Sequence, residues 1–206
     1  MCWSEKVSRN TFILGTIINL YLALHRIDNK AYLLMACFCQ LIITVQLGET
    51  LIWKDPTCGS VGTIGSKISF YSVYLQPIMG VLFFYLMYGS RSIYTQLGLV
   101  LFTIYMVASI TVLPTLTICS KPEPCCDDKQ HLSDGTWDRA KSVSFMYMVM
   151  SVWLLVCLPL VNRKYLAFSL YLFGTGVLSK LFYKNSFASM WCFFSVASPI
   201  VLYLSV

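Results

Sequence analysis

The stretch Gln96–Ile118, QLGLVLFTIYMVASITVLPTLTI, decides the fold. It carries no charged side chain. Its apolar residues do not alternate with polar ones, so it reads as a helix and not as a barrel strand, which would show a period of two. Roughly 20 residues at about 1.5 Å rise cross a hydrocarbon core of about 30 Å, so this segment is long enough to span a bilayer.

Working outward, the same pattern recurs. The expected spans are Thr11–Leu24, Ala31–Trp53, Ile68–Tyr88, Gln96–Ile118, Val143–Val161, Tyr165–Tyr183 and Phe187–Val206. The composition agrees. Of 206 residues, 57% are hydrophobic and only 12% are charged, and the mean hydropathy is +0.69. A soluble domain of this length has too little interior to hide so much apolar surface. The sequence therefore predicts an all-α polytopic membrane bundle of seven transmembrane helices in a single domain, with the lipid bilayer as its first partner. Soluble enzymes, disordered chains and collagen-like fibres are excluded. The net charge of +6 does not point to nucleic acid, because no basic run exceeds two residues. A cleavable signal peptide is not expected, because Glu5, Lys6 and Arg9 precede an apolar run that lacks a small-x-small cleavage pattern.

The connections fall on two sides. Side B has short loops, His25–Lys30, Gly89–Thr95 and Asn162–Lys164. Side A has the N-terminus, a glycine-rich loop over Lys54–Lys67 and a long loop over Cys119–Lys141. Side B is denser in Lys and Arg, which favours the cytoplasm. Cys2, Cys58, Cys119, Cys125 and Cys126, five of the nine cysteines, all fall on side A. Disulfides persist in oxidising compartments, so the N-terminus and the long loop are expected to be lumenal or extracellular. Cys58 is expected to pair with Cys119, Cys125 or Cys126. Cys37, Cys39, Cys157 and Cys192 lie within spans and are expected as small packing residues. No C-x-x-C pair supports a structural zinc site around His131, so no metal or cofactor is expected.

An internal repeat is expected from two segments. Phe70-Tyr71-Ser72-Val73-Tyr74-Leu75-Gln76-Pro77-Ile78 matches Phe193-Phe194-Ser195-Val196-Ala197-Ser198-Pro199-Ile200 with one gap. Leu51-Ile52-Trp53-Lys54 is matched by Leu181-Phe182-Tyr183-Lys184. These suggest a three-plus-one-plus-three plan, with repeats over 11–88 and 143–206, a linker helix over 96–118 and a loop over 119–141. Transporters of this plan bind substrate between the halves near the midplane.

Polar residues within spans are the candidate site. A charged group at a helix centre costs roughly 2.5–3.5 kcal/mol on insertion scales, so it needs a partner, a cavity or an interface. Glu49 is the acid within a span, and Gln46, Glu49 and Trp53 share one helix face. The expected transport path is Glu49, Gln46, Gln76 and Asn19, with Lys180 as counter-ion. Gln40 sits deeper on another face. Pro77, Pro114, Pro159 and Pro199 can kink their helices. Enzyme signatures are lacking: there is no H-E-x-x-H and no G-x-S-x-G. His25 and His131 fall on opposite sides, so an enzyme is not expected.

The opening Met1-Cys2-Trp3-Ser4, then Val7-Ser8, Asn10-Thr11-Phe12, Gln46-Leu47-Gly48-Glu49, Ile52-Trp53 and Leu75-Gln76-Pro77, resembles a family of uncharacterised polytopic proteins. These occur in nucleocytoplasmic large DNA viruses, with distant bacterial relatives. Thr50 departs from the pattern, because viral members often carry an aromatic after the Glu. The resemblance implies a viral integral membrane protein in a host or virion membrane, and it singles out Cys2, Trp3, Glu49, Trp53, Gln76 and Pro77. The family has no activity to carry over. If the N-terminus lies on side A, Met1–Ser4 is expected to fold back against the end of the second span, with Cys2, Trp3, Trp53 and Pro77 as gate or plug residues. Two functions follow. One is a small channel or transporter for protons, cations or a small solute. The other is a structural or assembly protein of a viral or virus-modified membrane, working with itself or with viral membrane or capsid proteins.

Overall fold

The computed structural model describes residues 4–112, 118–119, 122–124, 130–132, 141–182 and 187–205. Helices α1 (Glu5–His25), α2 (Lys30–Lys54), α3 (Ser60–Tyr88) and α4 (Ile93–Val112) form the first part of the chain. Helices α5 (Lys141–Val161) and α6 (Leu166–Phe182) follow, then α7 (Phe187–Phe194) and α8 (Ser198–Ser205). Short 3-10 turns at Arg163–Tyr165 and Ser195–Ala197 precede α6 and join α7 to α8. Among the described residues, six helical segments are long and apolar enough to cross a membrane. The seventh expected span, Phe187–Val206, is instead a broken helix. The turn at Ser195–Ala197 divides it, and Pro199 falls in the first turn of α8, where its missing N–H does no harm.

Three boundaries differ from expectation for physical reasons. Helix α1 starts at Glu5 and not near Thr11, because the Ser4 hydroxyl accepts from the Val7 N–H at 3.3 Å and caps it. The glycine-rich loop over Lys54–Lys67 is largely helix, since α3 begins at Ser60. Its glycines serve close packing and not a flexible turn. The long loop, expected without strands, carries a short antiparallel ribbon in which β1 (Pro122–Pro124) pairs with β2 (Gln130–Leu132).

Helix α2 is central. It packs against α1, α3, α7 and α8. Its seam with α3 is built from small residues. A Cβ placed on Gly48 would lie 2.5 Å from the Gly65 carbonyl oxygen, so the two backbones touch. The Ser69 hydroxyl donates to the Val45 carbonyl at 3.2 Å across the same seam. Such close approach replaces the hydrophobic driving force that lipid does not supply. Helix α4 packs on α3 and α5, with Trp153 lying on Gly98.

Side A is fixed by two links. Lys54 at the end of α2 and Arg9 in α1 both approach Glu5, at 3.7 and 3.6 Å. Cys58 and Cys119 lie at disulfide distance, with Cα atoms 6.1 Å apart, within the usual range for a bridge. This is the expected pairing for Cys58. Cys125 and Cys126, the other candidates, lie outside the described residues, as do Cys2 and Trp3. Of the span cysteines, Cys39, Cys157 and Cys192 are buried as expected, whereas Cys37 is exposed.

Candidate functional site

A small cavity lies near mid-length of α2 and α3. Phe38 and Ile42 from α2, Gln76 and Pro77 from α3, Tyr147, Ser151, Leu154 and Leu155 from α5, and Leu172 from α6 line it. Trp191, Cys192 and Ser195 close it from the broken helix. It has room for at least one water molecule.

Two interruptions of regular helix meet here. Pro77 has no N–H to offer the Val73 carbonyl one turn back. One residue along, the Tyr74 carbonyl accepts the buried Tyr105 hydroxyl at 3.1 Å. At the other wall, the 3-10 turn Ser195–Ala197 redirects the backbone bonds, and Ser198 N–H donates to the Ser195 carbonyl. The Phe194 carbonyl takes the Tyr171 hydroxyl from α6 at 2.5 Å. The Trp191 indole donates to the Leu172 carbonyl at 2.9 Å, and Thr175 and Ser195 share a hydrogen bond of 3.0 Å. Irregular backbone at membrane depth is tolerated where it is buried or lines a cavity.

The polar groups of the cavity form a directed set. The Tyr147 hydroxyl donates to Gln76 Oε1 at 2.8 Å. That bond fixes the amide so that Gln76 Nε2 is left as the remaining group, and Nε2 is buried without a hydrogen-bond partner. Leaving such a donor unmet costs about 1–3 kcal/mol. Gln76 itself is 5% exposed. Among the described residues, no carboxylate, ammonium, guanidinium or imidazole lines the cavity.

The expected path residues are dispersed. Gln76 lines the cavity, and Pro77 beside it does also. Gln46 and Glu49 are buried, at 0% and 2% exposure, and Trp53 is half-buried. With Phe38 and Ile42 they follow helical spacing along one side of α2, running from the cavity toward side A. Asn19 sits elsewhere. Its amide donates to the Ala36 carbonyl and to Gln40 Oε1, both at 3.0 Å, and Gln40 Nε2 donates to Thr16 at 3.1 Å. That set clamps α1 to α2 and does not reach the cavity. Lys180 is exposed in the last turn of α6. Its neighbour Ser179 is fully buried, with its hydroxyl unpartnered, on the same helix side as Leu172 and Thr175.

Sequence reasoning missed Tyr147, Ser151, Trp191, Thr175 and Ser195. Tyr147 and Trp191 read as ordinary aromatics in apolar runs. Only Ser195 carried a signal, as the partner of Ser72 in the matched segments. Among the described residues, no group of three or more His, Cys, Asp or Glu side chains could hold a metal ion. Outside the membrane, Asp55 closes the corner between α2 and α3. It accepts from the N–H groups of Gly62 at 3.0 Å and Gly59 at 3.2 Å, and from the Thr57 hydroxyl at 3.1 Å. The Gly62 N–H, aided by Gly59 and Thr57, holds its carboxyl below the usual carboxylate range.

No protein-family model, no curated protein and no solved structure matches the chain.

Proposed function

We propose that this chain is a small transporter or channel of a host or virion membrane, with its site in the cavity between α1–α3 and α5–α8. One observation carries the reading. A broken helix and a proline-bearing helix meet at a largely apolar cavity near the middle of the bundle, into which Gln76, Tyr147, Ser151 and Ser195 bring polar groups. Discontinuous helices at the midplane are how many transporters build substrate sites. The buried side of α2 from Ile42 through Gln46 and Glu49 to Trp53 supplies the route from side A, which this reading places in the lumen or exterior.

The expected repeat fits the same scheme. Helix α1 packs on α8, and α3 packs on α5. A two-fold axis that exchanged the triplets would exchange these two contacts. Each matched segment sends residues to the cavity, Gln76 and Pro77 from the first and Ser195 from the second, though not at corresponding positions.

A second reading, a structural or assembly role in a viral or virus-modified membrane, is supported by a different observation. The long loop is anchored by the Cys58–Cys119 pair and carries a ribbon, features of a built surface. Reconstitution of the full chain in liposomes separates the two. Flux of protons, potassium or a small solute above empty liposomes supports transport. No flux, together with co-purification with virion membrane or capsid proteins, supports assembly.

A further inference from the structure

Resting on the transport reading, we infer that the cavity takes a small neutral solute that presents a hydrogen-bond-accepting oxygen, and not a proton or a metal cation. The argument starts from which hydrogen-bonding groups are already used. Gln76 Oε1 is occupied by the Tyr147 hydroxyl, the Trp191 indole is turned onto the Leu172 carbonyl, and Ser195 is tied to Thr175. Among the described residues, the buried side-chain polar atom of the cavity left without a hydrogen-bond partner is a donor, Gln76 Nε2. A donor N–H repels a cation and attracts an acceptor oxygen.

The rest of the lining sharpens the class. Among the described residues, no acidic or basic side chain lines the cavity to offset the loss of an ion's hydration. A cation site of this kind needs a carboxylate or a ring of carbonyl oxygens directed inward. The nearest buried acid along α2, Glu49, lies about two helical turns from cavity-lining Ile42. It belongs to the approach from side A and not to the cavity. The flanks are Phe38, Ile42, Leu154, Leu155 and Leu172, which suit the uncharged remainder of a small solute. Tyr147 acts as a positioning residue. Its hydroxyl donates to Oε1, which leaves Nε2 as the amide's remaining group.

The test uses the full chain in liposomes, with urea and glycerol as neutral probes and potassium and protons as ionic ones. Stopped-flow light scattering follows the neutral probes, and entrapped dyes follow the ions. The expected result is urea and glycerol flux above empty liposomes, with potassium and proton leak unchanged. Gln76→Leu removes the donor and should slow urea flux by about fivefold or more, the loss of one hydrogen bond. Gln76→Met keeps the length of the side chain but removes the donor, and should slow it likewise. Circular dichroism and melting show whether each variant folds. Potassium or proton flux without urea or glycerol flux would overturn the neutral class while leaving transport standing. Urea flux unchanged in a folded Gln76→Leu or Gln76→Met protein would overturn the role of the amide. Absence of flux for all four probes would remove the transport reading, and this inference with it.

Discussion

Gly48 and Gly65 face each other across the α2–α3 seam, each positioned so that an added Cβ would meet the other's carbonyl oxygen, at 2.5 and 2.6 Å. Real Cβ atoms do not approach so closely, so even alanine forces the helices apart. Gly65→Ala and Gly48→Ala should each destabilise the bundle by about 1–3 kcal/mol, the usual cost of overpacking. Thermal melting in detergent measures this. Melting temperatures equal to that of the parent protein would show that the seam is looser than described.

The α1–α2 clamp leads to a different outcome. Thr16, Asn19 and Gln40 bond to one another and not to the cavity. Asn19→Ala and Gln40→Ala should therefore lower stability with a coupling of about 0.6 kcal/mol, typical of interhelical hydrogen bonds in membranes. Flux through folded protein should be unchanged. A double-mutant cycle on melting provides the coupling, and a flux assay tests the rest. Loss of flux without loss of stability would return Asn19 to the path.

The corner at Asp55 should make stability depend on pH. Its carboxyl is held below the ordinary range, chiefly by the Gly62 N–H. A depressed folded-state pKa contributes stability that is fully present above the unfolded value of about 3.9 and is lost as pH falls through the folded value. Melting temperature should therefore fall on acidification below about pH 4, and Asp55→Asn should lessen that dependence. An Asp55→Asn protein with the same acid dependence as the parent would assign the effect to another group.

The fold was legible in the sequence where composition alone decides it. The uncharged run around Gln96–Ile118 and its companions gave the spans, because bilayer thickness sets their length. The helical start of α3 was hidden, because Gly59, Gly62 and Gly65 read as a loop when only local propensity is considered. Their meaning lies in what they touch: Asp55 for Gly59 and Gly62, and Gly48 for Gly65. The break at Ser195–Ala197 was signalled only by Pro199. No charge interrupts Phe187–Val206, and the bonds made to the break by Tyr171 and Thr175 come from a neighbouring helix. Of the cavity, Gln76 and Pro77 were legible as oddities in an apolar span. Tyr147 was not, because nothing local distinguishes a tyrosine that holds an amide from one that packs.

Cys58 and Cys119 close a long loop, with 61 residues of sequence separation. The chain-entropy relation for a loop of this size gives about 4 kcal/mol, and disulfides typically contribute about 2–4 kcal/mol, so Cys119→Ala should cost about 2–4 kcal/mol when the parent is purified without reductant. Peptide mapping without reduction should recover a linked Cys58–Cys119 fragment. Complete alkylation of both thiols in protein from an oxidising compartment would refute the bridge and remove its support for side A lying outside.

The last prediction concerns Tyr171 and the helix break. Its hydroxyl reaches from α6 to the Phe194 carbonyl, immediately before the 3-10 turn that lines the cavity. The turn exists because Ser198 N–H bonds to Ser195 and not one residue further back. The Phe194 carbonyl is the group that a regular helix would have given to Ser198. Tyr171→Phe removes its donor while keeping the ring, so packing is preserved and the effect is confined to the break. Stability should fall by about 0.5–1.5 kcal/mol, the net worth of a typical hydrogen bond. Because the turn forms one wall of the cavity, flux should change as well, in proportion beyond what the small loss of folded protein explains. Tyr85→Phe is the control. Tyr85 is 49% exposed on α3, and its hydroxyl should be dispensable. Melting curves and urea flux for the two variants, side by side, decide the matter. If Tyr171→Phe melts and transports as Tyr85→Phe does, the hydroxyl does not hold the break, and the turn must be set by Pro199 and the Thr175–Ser195 bond alone.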